Sequence, residues 1–80
     1  PWPGLFFKLN DKTVKVHNIN IIEQYNDNKN GEVVKVDKNG IKVACEDGFI
    51  VITRLQLPNK KPLNVSEYLN GNSFEEGIIL

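Results

Sequence analysis

Gly40-Ile41-Lys42-Val43-Ala44-Cys45-Glu46-Asp47-Gly48 is the stretch on which the fold turns. Ile41, Val43 and Cys45 alternate with Lys42 and Ala44, the period of a half-buried strand, and Asp47-Gly48 is a dipeptide that reverses a chain into an antiparallel partner. The returning strand, 49–57, is apolar on both parities, with Phe49, Val51, Leu55 and Leu57 on one and Ile50 and Ile52 on the other. Such a strand belongs at the centre of a sheet or beneath a helix. Upstream, Asn39-Gly40 makes the same kind of turn after a strand over 32–37, so three consecutive antiparallel strands are predicted.

Reading outward, Val14 and Val16 share one parity and Ile19 and Ile21 the other. A change of face without a turn is what a β-bulge produces, so 13–24 reads as one long bent strand of the kind that curls around a barrel core. Leu5, Phe6 and Phe7 start a first strand that Asn10-Asp11 ends, and Tyr25 to Asn30 is a polar, turn-rich connection. Past Pro58, Asn64 is placed to cap a helix over 65–70, with Glu67 in the capping-box position and Leu63 able to staple onto Tyr68. Gly71 supplies a C′ stop, Val65, Tyr68 and Leu69 share one helical face, and Ile78-Ile79-Leu80 adds a final short strand. The predicted fold is mainly β: a closed or nearly closed antiparallel β-barrel of five to six strands with one short α-helix.

Eighty residues make a single domain, 1–80, with one core. No apolar run approaches the roughly 18 residues that a membrane span needs, so no membrane partner is predicted. The opening Pro1-Trp2-Pro3-Gly4 has neither an initiating Met nor a signal-peptide pattern, which predicts an excised domain. One cysteine cannot form an internal disulfide, and a reducing cytoplasm is the expected compartment. Being in phase with Ile41 and Val43, Cys45 reads as a core residue.

Catalysis needs a constellation, and none is spelled here. His17 is the only histidine, with no nucleophile, phosphate loop or second metal ligand at a usual spacing, so it reads as a barrel-wall residue near the bulge. The pairs Glu46-Asp47 and Glu75-Glu76 point to opposite faces if extended and form no acid/base dyad. Net charge is zero, which weighs against strong nucleic-acid binding. Its distribution is uneven: residues 1 to 61 hold all ten Lys and Arg against seven acids, and the remainder holds only Glu67, Glu75 and Glu76. Lys60-Lys61 lies in a loop without helical partners, a solvated pair by default and a phosphate contact by chemistry. Trp2 and Phe6-Phe7 suit packing at the mouth of the core better than stacking on bases.

The ordered set Pro1-Trp2-Pro3-Gly4, Gly31 and Val33, Val36-Asp37-Lys38, Gly40-Ile41, Val43-Ala44-Cys45, Asp47-Gly48, Leu55-Gln56, Lys60-Lys61 and Leu69-Asn70-Gly71 resembles the C-terminal domain of the methionyl-tRNA formyltransferases. The resemblance covers essentially the whole chain. It departs at Asn30, where the family has proline, and at Asn59, where it usually has glycine; both touch turn geometry. What it implies is an OB-like barrel, without a catalytic residue, cofactor or metal of its own, that helps hold initiator methionyl-tRNA. An N-terminal catalytic domain in cis, with an Asn, His and Asp set, would take the formyl group from 10-formyltetrahydrofolate. Lys60 and Lys61 are then the first candidates for the tRNA backbone, with Lys42, Arg54 and Lys38 as auxiliaries beside Lys8, Lys12, Lys15 and Lys35. Two alternatives stand beside it: the related C-terminal barrel of a nucleotide-sugar formyltransferase, and a free-standing protein-interaction module.

Overall fold

The computed structural model describes residues 6–9, 11–46 and 48–80. The features expected at residues 1–5, Trp2 among them, at Asn10 and at Asp47 lie outside the described residues. Among the described residues, six strands and a helix follow in order: β1 (Phe6–Leu9), β2 (Lys12–Glu23), β3 (Val33–Asp37), β4 (Gly40–Cys45), β5 (Gly48–Gln56), β6 (Leu63–Asn64) and α1 (Val65–Gly71). The three strands read from the two glycine turns are β3, β4 and β5, each within one residue of its predicted start and end. Every pairing is antiparallel, in the order β1-β2-β5-β4-β3, with β6 also on β5. The doubly apolar strand is therefore the central one. Its first half lies between β2 and β4, and its last residues lie between β2 and β6.

The bend expected in β2 falls where the parity changes. Register is irregular between Val16 and Asn18 and again between Asn18 and Ile19. Val16 nevertheless pairs with Leu55 and Ile19 with Ile52, three residues apart on both strands, so neither strand carries an extra residue. Both switch faces together: Val16, Ile52 and Leu55 are buried, and Ile19 packs on the same core. A bulge in one strand would have displaced the rest of the ladder, whereas this paired switch bends the ribbon and preserves its register.

Closure stops halfway. The sheet curls into an antiparallel half-barrel whose edges are β1 and β3, strands of four and five residues. At the β3 edge the chain's last residues take the place of a closing strand: Ile79 bridges Glu32, Leu80 N–H donates to Gly31 O (2.9 Å) and Val33 N–H to Ile78 O (2.9 Å). Gly31, at φ +88°, permits this approach, since a Cβ there would lie 2.9 Å from Leu80 O. The Glu76 carboxylate accepts the Val36 N–H (2.8 Å), occupying an edge donor that would otherwise invite another strand.

The core joins Phe7, Val14 and Val16 to Val33, Ile41, Val43, Ile52 and Leu55, and α1 closes it with Val65 and Tyr68. Phe74 meets Phe7 edge to face, with centroids 6.0 Å apart. At the helix start Glu67 accepts the Asn64 N–H (3.1 Å), the return half of a capping box. The helix ends differently from expectation: Gly71 is its last residue, and the Asn72 side chain donates to Tyr68 O (3.1 Å), supplying the partner that a left-handed C′ glycine would have provided. Cys45 is half-buried, not a core residue, because it ends β4 where the hairpin leaves the core.

Candidate nucleic-acid interface

The alternation of buried and exposed residues fixes which cations face outward. Phe7, Val14, Val16 and Leu55 point into the core, so Lys8, Lys15 and Gln56 point out, with Lys15 directly opposite Gln56 and Phe6 beyond it. Lys12 lies at the β1–β2 turn opposite Leu9, where Asp11 takes φ 67° as a tight hairpin demands. β5 ends at Gln56, and the loop 57–62 carries Lys60 and Lys61 before β6 returns to pair with Arg54 and Leu55. One end of the sheet thus gathers Lys8, Lys12, Lys15, Arg54, Lys60 and Lys61, with Asp11 and Glu67 beside them and Glu75 next to Leu9 and Tyr68.

That end is built more firmly than a solvated loop. Lys60 N–H donates to Leu57 O (3.2 Å) across Pro58 and Asn59, and Asn59 sits at φ 61°. Proline at the second position and a positive φ at the third define a type II turn, which explains why glycine suits the place of Asn59. Gln56 Nε2 donates to Lys60 O (2.7 Å), and Gln56 Oε1 lies 2.8 Å from His17 Nε2. With the Gln56 amide nitrogen committed to a carbonyl, its oxygen is the acceptor, so His17 Nε2 carries the hydrogen. Arg54 Nη1 donates to Asn64 Oδ1 (3.0 Å), which fixes the guanidinium's direction while leaving it further donors for an incoming anion.

Lys38 and Lys42 belong elsewhere. They flank the β3–β4 turn with Lys35, where Asp37 and Glu76 also sit. Lys35 is ion-paired to Asp37 at 3.5 Å, and the Lys42 ammonium lies 4.3 Å above the Phe49 ring. The structure brings Lys60, Lys61 and Arg54 together and leaves Lys38 and Lys42 in a second, largely balanced group. Glu23, Asp27, Glu32 and Glu46 lie with Lys29 around the opposite end of the β2–β5 ribbon. Gly48 and Gln56 mark those two ends and are roughly 25 Å apart at about 3.3 Å per residue. The Debye length at physiological salt is about 8 Å, so the acids at one end do not cancel the cations at the other. Net neutrality is therefore no obstacle to a basic surface.

Sequence reasoning missed Gln56 and His17 as the residues that hold this loop. Leu55-Gln56 stood out as part of a pattern, but a bond from a strand side chain to a backbone carbonyl four residues on leaves no periodic trace.

A family model described as formyl transferase, C-terminal domain, matches residues 1–73. Among curated proteins, the chain is 92% identical over its 80 residues to a methionyl-tRNA formyltransferase of Finegoldia magna, of which it covers 26%. It is 42% identical over 80 residues to a protein of the same name from Clostridium acetobutylicum, again 26% of that protein. With the namesake from Francisella tularensis subsp. novicida it shares 40% over 79 residues, 25% of that relative. The chain spans about a quarter of the length of these relatives.

Proposed function

The chain belongs to the formyl transferase C-terminal domain family, and from that premise we infer that it is the tRNA-holding part of a methionyl-tRNA formyltransferase. The observation that carries this reading is the gathering of six cations at one end of the sheet, on the β1–β2 hairpin, the end of β5 and a loop that Gln56 and Leu57 hold by hydrogen bonds. Cations on a convex sheet surface suit the phosphate backbone, which is met by charge and spacing and not by base identity.

The role is orientation. Phosphate contacts at Lys60, Lys61 and Arg54, with Lys8, Lys12 and Lys15, hold the RNA so that the methionyl amine reaches a formyl donor elsewhere in the parent enzyme. Positioning of this kind raises the rate by converting an encounter into a step within one complex. The donor, 10-formyltetrahydrofolate as substrate, binds outside these residues, and this chain supplies no group to the chemical step. Lys38 and Lys42 contribute less, because they sit at the β3–β4 turn with Asp37 and Glu76, away from the loop, and the Lys42 ammonium lies over the Phe49 ring.

Titration of the chain with initiator and elongator tRNA over a range of salt tests the reading. Weak binding is expected, with a dissociation constant of about 10⁻⁴ to 10⁻⁶ M at physiological salt and no preference between tRNAs. Lys60→Ala with Lys61→Ala should lower the slope of log K against log salt by about one to two units. Absence of binding at low salt, or a slope untouched by the double substitution, would remove this function from the loop.

A further inference from the structure

We propose that Gln56 is a positioning residue, a latch that presets the Lys60–Lys61 loop for a phosphate backbone and ties it through His17 to the bend of β2; the RNA half of this rests on the function proposed above. Two of Lys60's backbone groups are satisfied locally, its N–H by Leu57 O and its C=O by Gln56 Nε2. Pro58 fixes φ at the turn's second position, and Pro62 confines Lys61 to extended conformations. Two prolines, a type II turn and a side-chain latch leave the backbone of 57–62 little freedom, while both lysine side chains stay exposed. A cation on a preset backbone loses less freedom on meeting an anion than one on a loose loop, so the latch is felt in affinity and not in fold.

His17 sits where the register of β2 is irregular, and its Nε2–H donates to Gln56 Oε1. Gln56 is thereby held from both sides: the imidazole orients the amide, and the amide orients the loop. Next to inward Val16, His17 faces outward beside Gln56 by ordinary alternation, and the switch just after it returns Ile19 to the core, so the His17–Gln56 bond sits at the start of the bend.

The test uses Gln56→Leu, which keeps volume in a half-exposed strand position and removes both hydrogen bonds. In the RNA-free protein, amide hydrogen exchange at Lys60, whose N–H is held by Leu57 O, should speed up roughly two- to tenfold, the equivalent of one lost hydrogen bond, while exchange in α1 stays unchanged. His17→Ala should give the same change with smaller amplitude. With tRNA, Gln56→Leu should weaken binding about two- to tenfold, and the same substitution in a Lys60→Ala, Lys61→Ala background should have no further effect. Unaltered exchange at Lys60 overturns the latch whatever the RNA does. An equal loss of affinity with and without the two lysines overturns the positioning role. Loosened exchange in a protein whose wild type binds no tRNA would count against the RNA function and leave the latch standing as a loop anchor alone.

Discussion

The two ends of the β2–β5 ribbon are made from the same kind of strand pair yet face the solvent with opposite chemistry. At the end formed by Lys12–Lys15 and Arg54–Gln56, cations sit on the strand ends and on a loop tied down by backbone and side-chain hydrogen bonds. The end formed by Ile21–Glu23 and Gly48–Phe49 carries Glu23, Asp27 and Glu46 with exposed Ile21 and Tyr25. There the polar connection is held by Asn26, whose side chain donates to Gly48 O (3.0 Å) and more weakly to Cys45 O (3.4 Å). The lesson is that net charge is the wrong quantity for a molecule several Debye lengths long: a phosphate backbone meets one end at a time.

The comparison rests on the ribbon's continuity, and the largest expected effect comes from breaking it at the acidic end. A Cβ at Gly48 would sit 2.1 Å from Ile22 O, and the obstacle is backbone that cannot swing aside. Gly48→Ala should cost about 3 kcal/mol or more, as overpacking against fixed atoms does. Urea denaturation measures it, and a loss below about 0.5 kcal/mol would show that the ribbon end yields freely.

Removing cations from each group separately sharpens the contrast. Lys8→Ala with Lys15→Ala should weaken tRNA binding roughly tenfold or more and lower the salt slope by about 1.4 to 1.8, two phosphate contacts' worth. Lys35→Ala with Lys38→Ala removes the same formal charge from the β3–β4 turn and should change the slope by less than about half a unit. Equal slopes for the two pairs would mean that the whole sheet surface meets the RNA, and the division into two basic groups would fall.

Much of this architecture is written in the sequence. Asn39-Gly40 and Asp47-Gly48 punctuate β3, β4 and β5 because tight turns demand residues with special backbone freedom, and such demands are written locally. The bend in β2 was legible as a parity change at Val16 and Ile19. That β5 switches with it was not, because its two apolar parities hide the change. Closure was beyond reach as well, since whether β1 meets β3 depends on the C-terminal residues settling against Gly31 and Glu32, a long-range event. At the site, charge type was legible and grouping was not. Lys60-Lys61 and Arg54 fall together only because β6 folds back onto β5, and that same register separates Lys38 and Lys42 from them.

Turn chemistry gives a middle-sized effect confined to the basic end. Asn59 holds a left-handed conformation that a residue with an ordinary Cβ adopts at a cost of about 1 to 2 kcal/mol. Asn59→Ala should destabilise by about 1 kcal/mol and weaken RNA binding by loosening Lys60, whereas Asn59→Gly should be close to neutral in both. An alanine variant as stable as wild type would imply that the turn relaxes to another type, and the preset loop would lose one of its supports.

The smallest effect belongs to the acidic end and reads its local chemistry directly. Tyr25 is 85% exposed, and its hydroxyl donates to the Asp27 carboxylate. Ionising the phenol would remove that donated bond and set two negative groups side by side, so the hydrogen bond to Asp27, with a smaller part from desolvation, raises its pKa above the ordinary 10.0. Because the folded state holds this proton more tightly than the unfolded chain does, the contribution to folding is present below pH 10.0 and fades as pH rises through the folded value. At such an exposed site the change in stability should be too small to resolve, and the titration itself is the measurement. Following the phenolate absorbance, Tyr25 should ionise later than Tyr25 in an Asp27→Asn variant, which keeps a hydrogen-bond acceptor and loses the charge. Coincident titrations would mean that the carboxylate is not felt at the phenol, and the acidic character of this end would then be a matter of composition alone, without the local field that sets it against the lysines at the other.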